Sequence, residues 1–309
     1  MKMTFLGTGT SHGIPVIACD CKVCRSKNKK DKRNRCSAYI VTNDNHQILI
    51  DIGPEFRIQA LKYKVKKVSE VLLTHSHADH FHGIDDLRVF SCEMFKKPED
   101  PDSLKKFCAP AIPIYTNKNT LEDLKLRFGY FFNTVKEGGG HARVELKLAN
   151  EPFNIGNVKV TPIPMMHGHL ETVGWLLTEA ATEDGTGIGV AGAPGADCAN
   201  TFAKSIAYLT DCSFISDESI ELIKKNCGHL FHLVIDGLRI KEHSTHFNYL
   251  QAMAAAEKIG ADHVWFTHMT HNSSHKEYKA YVKEHLHEFP GLATCKSVGP
   301  AWDGLCIRC

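Results

Sequence analysis

The chain has 309 residues, and its 37 Lys and Arg against 35 Asp and Glu leave a formal net charge of +2. With 43% hydrophobic and 23% charged residues it has an ordinary globular make-up, which excludes a disordered, collagenous or coiled-coil protein. The balanced charge argues against a polybasic nucleic-acid or membrane binder, and no run approaches the roughly 18 apolar residues that a span needs. Met1–Gly7 lacks a charged region followed by an apolar one, so no secretory leader is expected, and a cytoplasmic protein is. The 12 Cys then read as reduced thiols, with Cys92, Cys108, Cys198, Cys212, Cys227 and Cys295 as buried small apolar residues. The 19 His are clustered, which is the signature of a metal site.

In chain order, Met3–Leu6 reads as a short apolar strand opening into Gly7-Thr8-Gly9-Thr10-Ser11, whose glycines permit a tight turn. No Gly-Lys-Ser/Thr follows, so this is not a phosphate-cradling P-loop. Residues 25–35 carry Arg25, Lys27, Lys29, Lys30, Lys32, Arg33 and Arg35 and read as a solvated loop or, failing that, a phosphate-facing arm. Ala38–Thr42 and Gln47–Asp51 form two strands around a turn at Asn43-Asp44-Asn45. Phe56–Tyr63 has helical character, Val68–Thr74 is a buried-type strand, and Gly83–Phe90 looks helical. Pro98, Pro101, Pro110 and Pro113 make residues 97–113 a long irregular segment. Leu121–Phe132 reads as an amphipathic helix and Gly138-Gly139-Gly140 as a flexible break.

Val158–Pro162 and Trp175–Thr178 are further strands, separated from Ala207–Thr210 by an Ala-, Gly- and Asp-rich insertion at about residues 179–205 in what reads as a hairpin. Ser216 is a good N-cap for a helix. Leu233–Asp236 is a strand, Phe247–Ile259 an Ala-rich helix, His263–Thr267 a strand and His275–His287 a helix. One pattern recurs: strands end in metal-binding residue types, Asp51, His75, Asp211, Asp236 and His268. Strand ends are where α/β scaffolds place chemistry.

The strongest local signal is His75-Ser76-His77-Ala78-Asp79-His80, with three imidazoles and a carboxylate in six residues. Imidazole nitrogen and carboxylate oxygen suit Zn²⁺, Mn²⁺ or Fe²⁺. In a tight loop after a strand, His75 and His77 can approach one ion while Asp79 and His80 turn to a second. This run, with Asp51-Ile52-Gly53 upstream, resembles the metallo-β-lactamase superfamily over nearly the whole chain. The resemblance implies a single domain, 1–309, built as an αββα sandwich of two mixed β-sheets flanked by helices. It also implies that His75, His77 and His167 hold one metal, that Asp79, His80 and His268 hold the other, and that Asp211 bridges them. His169 could compete with His167, whose place after the strand favours it. Two ions so placed, roughly 3.5–4 Å apart, would share a hydroxide that attacks phosphorus in line. Asp51 and Asp236 would orient histidine rings behind the ligands.

Cys19, Cys21 and Cys24 form a C-x-C-x₂-C arm within about residues 17–36, and three thiolates need a fourth ligand for tetrahedral zinc. His271, three residues after His268, is the candidate. The arm, the Gly7–Ser11 turn, Gly83–Arg88 and Trp302-Asp303-Gly304 are similar to the phosphoribosyl cyclic phosphodiesterase (PhnP-like) group of that superfamily. The resemblance implies a closed structural zinc, a homodimer, and a small, cyclic or linear, phosphodiester as substrate. It further implies a histidine before a helix that meets the phosphate and the leaving oxygen; His246 matches this place better than His243. The rival readings are a ribonuclease of the tRNase Z type, although no tRNA-gripping arm is evident, and a catalytically retired metal-binding protein, which the complete ligand set argues against. Neither a nucleic-acid partner nor a membrane is expected. Cys306 and Cys309 read as a chance C-x-x-C on a frayed terminus.

Overall fold

A computed structural model describes residues 1–91, 110–132, 141–180 and 203–309. Cys92, Cys108 and Cys198, the Gly138–Gly140 break, most of the 97–113 segment and most of the 179–205 insertion fall outside these residues. The described residues form two seven-stranded mixed sheets. The first contains β1 (Lys2–Gly7), β2 (Ser37–Val41), β3 (Gln47–Ile50), β4 (Glu70–Leu72), β5 (Ile112–Thr116) and β6 (Val144–Leu148) in that spatial order. The second contains β7 (Phe153–Ile155), β8 (Val158–His167), β9 (Leu170–Glu179), β10 (Lys204–Leu209), β11 (His229–Asp236), β12 (His263–Thr267) and β13 (Ser297–Pro300). The last strand, β14 (Cys306–Arg308), returns to the first sheet beside β1.

Helices α1 (Phe56–Tyr63), α2 (Ala78–Phe81), α3 (Arg88–Ser91) and α4 (Lys118–Arg127) follow strands of the first sheet. Helices α5 (Asp217–Asn226), α6 (Tyr249–Ile259), α7 (His275–His285) and α8 (Pro290–Ala293) belong to the second half. Ser216 caps α5 as its hydroxyl predicts, and Asn248 with Gln251 forms a capping box that starts α6 two residues later than the sequence suggests. The amphipathic helix expected to run to Phe132 ends at Arg127, with a short 3₁₀ turn over Gly129–Phe131. The helix expected over Gly83–Phe90 is a 3₁₀ turn followed by α3.

Three apolar layers hold the sandwich together. Between the sheets, Phe5, Ile40, Ile48, Ile50 and Leu72 meet Val158, Val160, Trp175, Leu177, Tyr208 and Val234. The outer layers pack α5, α6 and α7 on the second sheet and α1 and α4 on the first. Strands β10 to β13 run parallel with both faces covered, so they read as near-continuous apolar runs. Their register aligns Leu209, Ile235 and Phe266, so Asp211, Asp236 and His268 emerge side by side at one sheet edge. In the first sheet, parallel β3 and β4 deliver Asp51 and the His75–His80 loop in the same way.

Four expectations change. Strands β8 and β9 are each ten residues long, a full hairpin that carries His167 at its turn. Part of the expected irregular segment is β5, with Pro113 inside it. The C-terminus is not frayed: Ile307 pairs with Met3, and Cys309 N–H donates to the Met1 carbonyl at 3.1 Å. The cationic 25–35 segment is not uniformly solvated, because Arg33 is 1% exposed.

Candidate metal centre

Asp211 stands at the middle of the site. Its Oδ2 lies 3.6 Å from His75 Nε2 and 3.3 Å from His80 Nε2, and its Oδ1 lies 3.0 Å from His268 Nε2. One group of converging donor atoms is His75, His77, His167 and Asp211; a second is Asp79, His80, Asp211 and His268. Asp211 belongs to both, and with His268 it also belongs to a third group that adds Asp236 and His246; the first two groups contain the residues of the two ligand sets implied by the resemblance. The Nε2 atoms of His80 and His268 are buried and have no hydrogen-bond partner among the described residues. Buried ring nitrogens facing carboxylates without a bond to them suit a cation held between them. The donor set of imidazoles and carboxylates fits Zn²⁺, Mn²⁺ or Fe²⁺.

Electrostatics agrees with that geometry. Burial alone would raise the Asp211 carboxyl, but the His268 and His80 rings outweigh it and hold it well below the usual carboxylate range. Burial would likewise depress His80, yet Asp211, Asp79 and Asp51 carry it well above the ordinary imidazole value. Asp51, Asp211 and His268 all have positive φ, at 57°, 52° and 59°. For non-glycine residues this conformation costs about 1–2 kcal/mol each, and such strain gathers at functional sites.

Other groups set the rings' orientation. Asp51 accepts a hydrogen bond from His80 Nδ1 at 2.7 Å and from Thr74 N at 2.9 Å, which turns His80 Nε2 toward the cluster. Replacing Asp51 with alanine is expected to weaken metal binding about 10–100-fold, as removal of such outer carboxylates does; a metal titration of the folded variant checks this. His167 Nδ1 donates to the Thr245 carbonyl at 2.6 Å, which frees its Nε2. That link joins the β8–β9 hairpin to the loop before α6, and no side-chain pattern signals it. His169 is exposed and stays outside the cluster. The His75–His80 loop is also clamped from α4: Ser76 Oγ donates to Asp123, and Arg127 donates to the Ser76 carbonyl at 2.9 Å.

His246 is buried and lies against the cluster, its ring 4.8 Å from His268 and 4.4 Å from His167. Its Nδ1 donates to Asp236 at 2.7 Å, and Asp236 is itself fixed by the Cys212 N–H at 3.0 Å. Burial would lower the His246 pKa, but the Asp236 carboxylate outweighs it and carries it to about 9. His243 is exposed, with its ring 5.2 Å from that of His246. Cys212, next to Asp211, is buried in the apolar layer under the second sheet.

The Cys arm and its distant histidine also meet. The sulfurs of Cys19, Cys21 and Cys24 lie 3.3, 3.5 and 3.4 Å from His271 Nδ1. A tetrahedral zinc with bonds of about 2.3 Å to sulfur and 2.0–2.1 Å to nitrogen would give edges of about 3.5 Å, so the four groups fit one closed site. The Cys24 backbone N–H points at Cys21 Sγ and does most to lower that thiol to about 6.

Residues 46–269 match the model of the β-lactamase superfamily domain. The chain therefore belongs to that superfamily: its two mixed sheets and outer helices form an αββα sandwich, with the donor cluster at one edge. Within the superfamily it is a PhnP-like protein. It is 32% identical to a solved structure described as a new diphosphatase from the PhnP family, with a TM-score of 0.72 over 99% of this chain and 97% of that one. Zn²⁺-bound PqqB from Methylobacterium extorquens shares the fold at 16% identity and a TM-score of 0.69, covering 100% of both chains. The short form of human tRNase Z shares it at 17% identity and 0.61, covering 100% of this chain and 99% of that one. A curated relative from Porphyromonas gingivalis, named octanoyltransferase, is 32% identical over 299 residues, which are 94% of this chain and 51% of that protein. The chain thus spans about half the length of the curated relative it matches. No helix among the described residues is long and apolar enough to cross a membrane.

Proposed function

We propose that the chain is a dinuclear phosphodiesterase that cleaves a small, cyclic or linear, phosphodiester. The observation that carries this reading is one carboxylate, Asp211, shared by the His75/His77/His167 and Asp79/His80/His268 donor groups, with the buried His246–Asp236 pair converging on it from a third side. In this reading His75, His77, His167 and Asp211 hold one divalent ion, zinc or manganese with iron as the third option. Asp79, His80, His268 and Asp211 hold the other, and Cys19, Cys21, Cys24 and His271 hold a structural zinc. Bound there, the ions supply Lewis acidity and an activated water for attack at phosphorus.

The protein's own groups do the rest. Asp51 and the Thr245 carbonyl hold His80 and His167 in the tautomer that leaves Nε2 free. Asp236 holds His246 by Nδ1, so Nε2 faces the site, and from there a proton passes to the departing oxygen as its bond to phosphorus breaks. The 32%-identical structure is described as a diphosphatase, which supports hydrolysis at phosphorus, though of an anhydride rather than an ester. The transferase name belongs to a protein about half of which has no counterpart here.

The test is metal analysis of protein prepared without added metal, beside hydrolysis of bis(p-nitrophenyl) phosphate, inorganic diphosphate and an octanoyl thioester with Mn²⁺ or Zn²⁺ supplied. Three ions per chain, one of them resisting chelation, and diester cleavage lost on treatment with EDTA are expected. One tight ion with no hydrolysis under any metal would retire the catalytic reading. Turnover of only the thioester would replace the phosphodiester with an acyl substrate.

A further inference from the structure

Arg33 lies in the cationic segment that the sequence suggests is solvated or faces phosphate, yet its side chain is fully buried. Its guanidinium donates from Nη1 to the Thr270 carbonyl at 2.7 Å and from Nη2 to the Ser273 carbonyl at 3.4 Å. Asp31 lies 3.7 Å from Nη2, and the Tyr278 ring lies 5.5 Å below the guanidinium carbon. The Nε atom has no hydrogen-bond partner among the described residues. A buried and incompletely satisfied cation is a poor way to stabilise a fold, so its use points to placement of what it binds.

What it binds is the turn between two metal-site histidines. Thr270 sits between His268 of the Asp79/His80/Asp211 group and His271 of the Cys arm. His268 has φ 59°, a conformation that persists only when its surroundings impose it. The turn is tied on its other sides by Met269 N–H to the Thr8 carbonyl, Thr10 N–H to the Met269 carbonyl, and Thr270 N–H to the Leu238 carbonyl. Arg33 adds the side-chain grip, and Asp31 extends it by accepting from His275 N at 2.7 Å. The Arg33 backbone pairs in both directions with Ile14, which packs with Val23 and Cys24 in the core of the Cys arm.

We infer that Arg33 is a positioning residue that locks the 268–271 turn, so that the Cys arm holds His268 in place for the neighbouring metal compartment. This rests on the metal-centre reading and is independent of which substrate is cleaved. A lysine keeps the charge but cannot span two carbonyls as the guanidinium fork does.

The test is a chelator-buffered Zn²⁺ titration of the full chain, wild type against Arg33→Lys, with folding followed by circular dichroism. In the wild type, two weaker binding steps above the tight Cys-arm ion are expected. In Arg33→Lys the Cys-arm ion stays at one per chain and one weaker step shifts by tenfold or more, while the other stays within about twofold. Asp31→Asn removes the counter-charge, keeps the fork, and gives a smaller shift of the same step; it decides the matter if Arg33→Lys does not fold. Folded variants with both steps unchanged, or with both weakened equally, overturn the inference. A wild type without the two weaker steps overturns the metal-centre reading itself, and this inference with it.

Discussion

Asp211→Ala is expected to keep the Cys-arm ion, lose at least one ion from the His/Asp cluster, and cleave a diester on the order of a thousandfold more slowly or worse, the upper end of what removing one preorganised charge-stabilising group costs. The size follows from where the carboxylate stands. Its two oxygens face different partners, Oδ2 toward His75 and His80 and Oδ1 toward His268, so no other side chain can take over both contacts. It is also the negative charge around which buried imidazoles gather, and without it those rings face one another and a cation with less to hold it. The fold should survive, because the apolar neighbours Leu209 and Cys212 carry the packing. Asp211→Asn separates charge from shape: it preserves the contacts' geometry while removing the charge, and should recover little. Metal content per chain and kcat, measured on the same preparation, check both variants. If Asp211→Ala retained two cluster ions and full turnover, the shared-carboxylate role would be wrong.

The parts of this site that are consecutive in sequence are legible there. The His75–His80 run puts four ligand candidates and the Cys19–Cys24 arm three into six residues each; the structure brings the arm together with His271 and divides the run between two donor groups that share Asp211. Asp211 and His268 stand at strand ends and His246 stands before a helix, but their roles come from the family resemblance; the parallel register explains why the two strand ends lie side by side. What local pattern could not show is contact made by backbone or by distant chain. The Thr245 carbonyl that fixes His167 has no residue-type signature. The left-handed φ of Asp51, Asp211 and His268 follows from the loops that converge on them rather than from their own preference.

The strands that carry little sequence signal are short and lie at sheet edges, where half-exposed residues contribute few apolar positions. β14 exists because Cys306, Ile307 and Arg308 find Lys2, Met3 and Thr4, a pairing across the whole chain. Pro113 sits inside β5 because β4 reaches only Ile114 and Tyr115, so the proline lies opposite β6 alone, at Glu145. The burial of Arg33 leaves no local signal for a related reason: the six cations around it do reach water to some degree, and only tertiary contact distinguishes the one that does not.

The second large effect is expected from His246→Ala, and it should depend on the leaving group. Loss of a proton donor costs about 10²–10⁴-fold when the departing oxygen needs the proton. A diester with an alkoxide leaving group should therefore lose turnover in that range, while bis(p-nitrophenyl) phosphate, whose phenolate departs unaided, should lose far less. Asp236→Asn should follow the same pattern more weakly, because it leaves the ring in place but removes the carboxylate that accepts from Nδ1 and favours the charged form. Metal content is the necessary control, since the His246 ring stacks on His268 and meets His167 edge-on, and its loss opens space beside two proposed ligands. Unchanged ions with a leaving-group-dependent loss identify a proton donor. Unchanged ions with equal loss on both substrates make His246 a group that binds the phosphate's charge, and loss of an ion makes it a ligand or a prop for one. The Asp236 bond bears on this choice: it occupies Nδ1 and leaves a single nitrogen for the site, an arrangement suited to passing one proton in one direction.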